Sequence, residues 1–477
     1  MGANNQPAKK SVYFSIATIV AMNIAIIINI YGFPSEAFYG LTSISLYGIA
    51  LIIFLIPVAL VSAELGSMFA GQGGIFQWVS NAFGYRPAIV ATWLQWVQSI
   101  FFYPISLTFA AVTFSYVFPD SIVGELATNK VYIIAFVLVV FWFCTLAGTR
   151  GLKHIGKLSS LGVWIGIVIP VALLIAFGIY YIIAGGKIEM DTSAASLIPK
   201  FRTMDDVVMA ASILLFFSGL EVNGVHVYMM KDPGKGYPKA LFWTCVVIGI
   251  IYILGTLSVA VIIPSGDLSI TQSVIVAFKH YLGFSHLSRV LPFIAIALAF
   301  GVVANSITWI TGPASVMKYI ADNGYLPKVV AKENKHGAPL FILISQGVIV
   351  SVIVFVYALS PQVQQGYQML MQMTNAIYLT MYVILFVAFL RLRYKERAKP
   401  RPFRVGKGNF LAWVVGIVGI LGAAGTFVLC FFPPAQLDIS KQPAYIGTVA
   451  VIYACLILPP VLYVIFHKPK VITPLKK

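Results

Sequence analysis

The chain has few charged residues, and acidic residues are the scarcest of them. Only 10% of its 477 residues are charged, and 15 Asp and Glu stand against 32 Lys and Arg. So little charge does not suit the surface of a soluble protein of 52.0 kDa. The apolar content of 60% and the mean hydropathy of +0.91 therefore predict a membrane protein.

Cysteine and histidine are also rare, which argues against several classes of protein. The four cysteines all fall inside long apolar runs, where they are typical small buried residues and not a disulfide framework: Cys144, Cys245, Cys430 and Cys455. The 6 histidines are scattered. Neither His-Glu-x-x-His, Cys-x-x-Cys nor Gly-x-Ser-x-Gly occurs. We expect no enzyme activity, no metal and no cofactor.

Long apolar runs fill most of the chain. Each is long enough to cross about 30 Å of hydrocarbon. They predict an all-α polytopic protein, one membrane domain over residues 1–477, with about twelve transmembrane helices. The expected spans are 12–39, 43–68, 88–118, 131–149, 159–184, 206–230, 239–264, 287–312, 338–359, 366–390, 410–433 and 443–467.

Basic residues are distributed unevenly between the predicted loops. With the N-terminus inside, most of the 32 lie on the cytoplasmic side, which predicts that both termini are cytoplasmic. Contact with anionic lipid explains the net charge of +17, and no nucleic-acid partner is expected. The basic segment Arg391–Lys407 is interpreted as a topology anchor touching lipid phosphates, with a regulatory docking site as the alternative.

Two of the predicted spans are interrupted. The first carries Asn23, Asn29, Tyr31-Gly32 and Pro34 inside its apolar run, and the sixth is broken at Ser218-Gly219. A helix broken at membrane depth survives only within protein or beside a water-filled cavity. Corresponding breaks in two halves of a chain indicate an inverted repeat with a substrate site near the membrane midplane.

Three polar residues in or near the spans are candidates for coupling or structural roles. Glu221 follows the sixth-span break, where it organises the break or takes part in proton coupling, or else caps the freed N–H groups of the second half-helix. Glu64, at the inner end of the second span, is expected to pair with a loop base or with backbone. His226 is expected to have a hydrogen-bonded packing role.

The two breaks together suit a zwitterionic substrate. Asn29 and Tyr31 at the first break, and Ser218 and Gly219 at the second, offer hydrogen bonds. The freed half-helix N-terminus favours a carboxylate, and unwound backbone carbonyls suit an ammonium group. Four aromatic residues are expected to gate the site or to pack around it: Tyr31, Phe216, Phe217 and Trp309.

Three segments carry a family resemblance: AELGSMFAGQGGIFQWVSNAFG (63–84), SGLEVNGVHVYMMKDPGKGYPKA (218–240) and GVVANSITWITGPASVMKYIADNGYLPK (301–328). In them the chain resembles the amino acid–polyamine–organocation transporters, and within these the bacterial glutamate/GABA antiporter branch. The order and spacing of the segments agree along nearly the whole chain.

The resemblance implies a LeuT-like fold with a five-plus-five inverted repeat. The first repeat would cover about 12–184, the second about 206–390, and two further helices about 410–467, with helices 1 and 6 discontinuous. It also implies exchange of an external amino acid for an internal decarboxylation product, which consumes protons and supports acid resistance. The substrate-binding residues implied are Ile27, Ile28, Asn29, Tyr31, Phe216, Phe217, Ser218, Gly219, Asn305 and Thr308.

The chain departs from the family pattern at two places. Ile26-Ile27-Ile28-Asn29 replaces the Gly-Ser-Gly of many members, and Asn305 replaces an acidic residue of some branch members. We expect a sodium-independent glutamate:GABA antiporter of the inner or plasma membrane, as a monomer or homodimer. A tyrosine:tyramine-like or other neutral amino acid/amine exchanger is the alternative. A proton-coupled uptake permease and a non-transporting sensor or channel are rivals from other classes.

Overall fold

The computed structural model of the chain describes residues 13–71, 73–150, 161–201, 204–211, 213–358, 363–433 and 442–467. Over these ranges the regular secondary structure is helical, apart from the isolated bridges Phe14–Met230 and Glu333–Pro339. The prediction of an all-α polytopic fold is confirmed.

The α-helices are numbered here in chain order. They are α1 Ile16–Ile27, α2 Phe33–Ala37, α3 Thr42–Met68, α4 Gly74–Phe83, α5 Tyr85–Ser115, α6 Asp120–Leu126, α7 Lys130–Gly148, α8 Leu161–Ile183, α9 Met204–Ala211, α10 Ile213–Phe216, α11 Pro233–Ile262, α12 Ser273–Phe284, α13 Leu291–Asp322, α14 Lys328–Ala331, α15 Leu340–Ala358, α16 Val363–Lys395, α17 Phe410–Leu429 and α18 Gln442–Phe466.

Nine of the described helices are long and apolar enough to cross a membrane, and α1 with the bent segment after it makes a tenth candidate. Within α15, the range Leu340–Val356 is apolar but shorter than these nine. The predicted sixth span is divided into α9, α10 and a 3₁₀ segment, Val222–Met229. The count of twelve spans remains a prediction.

The first predicted span changes direction between α1 and α2. Ile28 and Asn29 are extended, and a short 3₁₀ turn, Ile30–Gly32, leads into α2 with Pro34 in its first turn. The two halves meet at an angle of 45°. Because proline has no N–H to donate, it is tolerated at the start of α2 but would break the interior of one continuous helix.

The sixth predicted span breaks after Phe216, and the two breaks pack against each other. Gly219 has φ +114, a conformation that a residue with a Cβ rarely adopts, and a Cβ there would lie 2.9 Å from Ile26. A Cβ on Gly32 would lie 2.7 Å from the Phe216 ring. The glycines of each break therefore make room for the other.

Helix α5 forms the centre of the bundle, where it packs against α13 and α16. Within its apolar window 89% of residues are buried, against 17% for α18 at the periphery. The outer helices expose large apolar side chains such as Phe410 and Phe466, and such surfaces suit contact with lipid tails. Helices α8 and α13 approach closely where Gly166 meets Gly301, since a Cβ on Gly166 would fall 2.1 Å from the Gly301 Cα.

Candidate functional site

A chamber of about 1160 Å³ lies between α1, α8, α13 and the 3₁₀ segment Val222–Met229. Near one end its wall includes the exposed residues Thr18 and Ser315, and at the other end it stops at the buried residues Ile28 and Asn305. Thr308 is exposed although it lies in the middle of α13, because it faces this chamber. The chamber thus reaches from one end of the bundle to the first break.

Aromatic side chains close the chamber at its buried end. The Tyr31 ring lies 5.9 Å from that of Phe102 and 5.7 Å from that of Phe109, and Phe102 lies 5.8 Å from Trp309. A much smaller cavity among Ile28, Asn29, Tyr31, Asn305 and neighbouring residues adjoins them. We call Tyr31, Phe102, Phe109 and Trp309 the aromatic cap.

Trp309 is the cap residue that borders both cavities. It is 7% exposed, and its indole Nε1 has no hydrogen-bond partner among the described residues. Its backbone is fixed, since its carbonyl accepts a hydrogen bond of 2.8 Å from the Tyr103 hydroxyl. A buried donor without a partner is uncommon and costs stability. Trp309 therefore offers an N–H that a bound solute could satisfy.

Tyr252 of α11 satisfies the backbone at the first break. Its hydroxyl donates to the Ile27 carbonyl at 2.8 Å and accepts from the Asn29 N–H at 3.1 Å. The Asn29 side chain accepts from the Tyr31 hydroxyl at 2.7 Å. Backbone that leaves helical geometry inside the bundle thus keeps its hydrogen bonds.

At the second break, the equivalent contacts come from α16. The Gly219 N–H donates to the Tyr382 hydroxyl at 2.7 Å, and that hydroxyl donates to one carboxylate oxygen of Glu221. The other oxygen accepts from Tyr378 at 2.6 Å and from Gln95 at 3.2 Å. Glu221 is 1% exposed and makes no side-chain cap to the 3₁₀ segment. Its contacts join the break to α5 and α16.

A second polar cluster links the two broken spans to α11. The Asn223 amide donates to the Asn23 side chain at 2.7 Å, and the Asn23 amide donates to Thr244 at 3.2 Å. All three residues are buried. Hydrogen bonds between buried polar groups at membrane depth hold helices together because the alternative is an unpaired group in hydrocarbon.

The chamber has little charge. Among its described lining residues, Glu221 and His226 are the acidic and basic side chains, and neither lysine nor arginine is present. His226 is half-buried and packs near the Phe14 ring, with 6.3 Å between ring centroids. Because the Glu221 carboxylate already accepts from three side chains, its charge is partly compensated before any solute enters.

The residues predicted to bind substrate do not all border the cavities. Ile28, Asn305 and Thr308 line the chamber, while Asn29 and Tyr31 line the small cavity beyond it. Five others belong to the packing of the breaks and border neither described cavity: Ile27, Phe216, Phe217, Ser218 and Gly219. Phe217, for example, packs edge-on against Tyr252 at 5.4 Å.

Residues that the sequence analysis did not single out include Gln95, Tyr252, Tyr378 and Tyr382. All four are buried polar groups within long helices. A tyrosine hydroxyl or an amide inside an apolar run must find a partner, and this was the available signal. It does not say which distant group the partner is.

Glu64 lies outside the chamber, at the end of α3. Its carboxylate pairs with Arg393 and Arg401 and accepts from the Val405 N–H at 2.7 Å. Arg393 lies within α16, while Arg401 and Val405 lie in the segment that follows it.

This geometry defines a polytopic membrane protein with an internal chamber at two helix breaks, the architecture of a small-molecule transporter. The chain belongs to the Amino acid permease family, whose sequence profile matches residues 14–455.

Several relatives are similar along most of the chain. An uncharacterized transporter of Legionella pneumophila is 29% identical over 90% of this chain and 91% of its own. A glutamate/gamma-aminobutyrate antiporter of Lactococcus lactis is 27% identical over 90% of this chain and 86% of its own. A probable agmatine/putrescine antiporter of the same species is 27% identical over 75% of this chain and 74% of its own.

Proposed function

We propose that this transporter is an antiporter that exchanges an external amino acid for the amine formed by its decarboxylation, with glutamate and GABA as the leading pair. The observation that carries the proposal is the chamber itself. It is large enough for a small solute, ends at the first helix break, and is closed there by the aromatic cap. An amino acid and its decarboxylation product differ by one carboxyl group, so one chamber accommodates both in turn.

The relatives support exchange as the mode of transport. The Lactococcus lactis proteins named as a glutamate/gamma-aminobutyrate antiporter and as a probable agmatine/putrescine antiporter both carry out exchange according to their names. We extend that mode, and the first of these pairs, to this protein.

The donors at the chamber end suggest how a substrate would be held. The Asn29 and Gly219 N–H groups already donate to Tyr252 and Tyr382, so a carboxylate would not find them free in this conformation. Trp309, whose indole N–H is buried without a described partner, and Asn305 both line the chamber and the small cavity. We propose that these two groups receive the substrate carboxylate.

A second candidate function follows from the charge of the chamber. A glutamate side-chain carboxylate would meet neither lysine nor arginine among the described lining residues, and burying an unpaired charge is costly. A neutral amino acid exchanged for its amine, such as tyrosine for tyramine, brings no side-chain carboxylate into the chamber. The neutral Asn305 favours the same alternative.

Uptake into proteoliposomes tests these proposals. Radiolabelled glutamate would be offered to vesicles preloaded with GABA, glutamate, tyramine or buffer alone, at mildly acidic and at neutral pH. Uptake that requires internal GABA or glutamate would establish the exchanger and its leading pair.

The other outcomes separate the alternatives. Uptake into vesicles that contain buffer alone, driven by a proton gradient, would show proton-coupled uptake in place of exchange. If no glutamate enters any of the vesicles, the pair is wrong, and labelled tyrosine against internal tyramine becomes the next experiment. Protein-free vesicles loaded in the same way provide the background.

A further inference from the structure

A buried ion cluster joins the end of α3 to α16 and to the segment that follows it. The Glu64 carboxylate contacts the guanidinium group of Arg393 and, at 3.1 Å, that of Arg401. The side chains of Glu64 and Arg393 are 1% and 2% exposed. The Val405 N–H donates to the same carboxylate at 2.7 Å, and the Val405 carbonyl accepts from Arg393 at 2.7 Å. We call Glu64, Arg393 and Arg401 the clasp.

The basic segment Arg391–Lys407 uses much of its charge within the protein. The Lys395 ammonium donates to the Asn81 carbonyl at the end of α4, at 2.8 Å. The Arg391 guanidinium lies 4.8 Å from the centre of the Phe83 ring, and the Lys399 ammonium 4.1 Å from that of Phe69. A cation in such a position is attracted to the ring face. The segment Arg391–Lys407, which we call the strap, is therefore held against residues between 64 and 83. This is a role beyond the lipid contact expected from its charge.

The strapped helix α4 forms part of the wall around the chamber. Gly73 and Ile75, at its start, line the chamber directly. Trp78 packs on the 3₁₀ segment so tightly that a Cβ on Gly224 would lie 2.6 Å from the indole, and a Cβ on Gly74 would lie 2.7 Å from Val225. A continuous line of contacts thus runs from the clasp through α4 to the chamber wall.

We propose that the clasp is a releasable latch: it holds α3 and α4 against α16 while the chamber is open at this end, and it separates when that end closes. A buried ion pair adds little net stability, but it specifies one arrangement because each charge needs its partner. A change of conformation that separates α3 from α16 must break the pair and then remake it. This proposal assumes transport by a change of conformation and does not depend on the identity of the substrates.

Cross-linking the strap tests the latch without a substrate. Phe69→Cys and Lys399→Cys would be introduced into full-length protein whose four native cysteines are replaced by alanine, together with Ala25→Cys in the chamber wall as reporter. After the strap is joined by a thiol cross-linker cleavable by reductant, the reporter is labelled with a maleimide. A Thr128→Cys reporter in place of Ala25→Cys, on the exposed surface, controls for general reactivity.

If the clasp is a latch, the joined strap holds the chamber open, so Ala25→Cys is labelled several-fold faster than before joining, and reduction reverses the gain. Arg401→Gln, which leaves the Glu64–Arg393 pair in place, lowers the labelling rate several-fold. Glu189→Gln, which removes the partner of the exposed Lys187, leaves the labelling rate unchanged. Equal labelling of the joined, reduced and Arg401→Gln proteins would overturn the proposal. Since labelling needs no substrate, a failed glutamate:GABA assay would not be mistaken for a failed latch.

Discussion

The hydroxyl of Tyr382 and the carboxylate of Glu221 are hydrogen-bonded at the second helix break, 161 residues apart in the sequence. The same hydroxyl accepts from the Gly219 N–H. Tyr252 has the corresponding position at the first break, between the Ile27 carbonyl and the Asn29 N–H. Each break is thus stabilised by one tyrosine from a long helix beside it, which satisfies backbone that the bilayer itself cannot satisfy.

Replacing Tyr382 by phenylalanine should destabilise the protein. The substitution leaves the Gly219 N–H and one Glu221 oxygen without their partner in a buried place, and each unpaired group costs about 1–3 kcal/mol. We expect a lower thermal unfolding midpoint in detergent. Tyr453→Phe is the matched control, because Tyr453 is half-buried and bonded to the Thr380 hydroxyl. Equal shifts for the two variants would contradict the role given to Tyr382.

Asn305→Glu should change substrate selectivity more than stability. Asn305 borders the chamber, and a negative charge there favours an ammonium group and disfavours a carboxylate. We expect competition by tyramine, which has no carboxylate, to strengthen against labelled substrate, and competition by glutamate to weaken. Asn305→Gln, which keeps the amide, serves as control. Unchanged competition in the glutamate variant would reject a role for this position in selectivity.

Trp309→Phe should affect transport with little effect on folding. The indole N–H has no partner among the described residues, so its removal breaks no hydrogen bond of the described fold, while the phenyl ring keeps the contact with Phe102. If the N–H binds the substrate carboxylate, KM should rise at least about tenfold, because a hydrogen bond to a charged group contributes about 1.5–3 kcal/mol and ~1.4 kcal/mol corresponds to a factor of ten.

The control for Trp309 is Trp93→Phe, whose indole donates to the Leu456 carbonyl at 3.0 Å away from the chamber. We expect that variant to lower the unfolding midpoint with KM unchanged. A Trp309→Phe protein with wild-type KM would show that this N–H does not bind substrate.

Gly301→Ala should destabilise the crossing of α8 and α13. A Cβ on Gly301 would lie 2.4 Å from the Gly166 Cα, so the helices must separate, at a cost of about 1–3 kcal/mol. Gly425→Ala in α17 is the matched control, since its Cβ would meet nothing within 4 Å, and alanine is the better helix former by about 1 kcal/mol. We expect the unfolding midpoint to fall for Gly301→Ala and to rise for Gly425→Ala. A stable Gly301→Ala protein would show that the two helices are not in contact there.

Sequence and structure agree best where the signal is local. Helix content and the place of each break follow from apolar runs and from Gly, Pro and Asn within them, and the structure bends at residues 28–32 and breaks after Phe216. The structure divides the residues implied for the substrate site into two groups, which the sequence does not distinguish. Asn305 and Thr308 face the chamber, whereas Phe216, Phe217 and Gly219 pack the breaks.

Hydropathy and helix breakers act over a few neighbouring residues, so the amino-acid sequence is enough to predict a membrane bundle of helices with two interruptions. Which side chains meet depends on how the helices pack. Glu64 pairs with Arg393 across 329 residues, and Glu221 with Tyr378 across 157. A buried charge requires a partner, but its chemistry does not specify where along the chain that partner lies. The packing of the helices makes that choice.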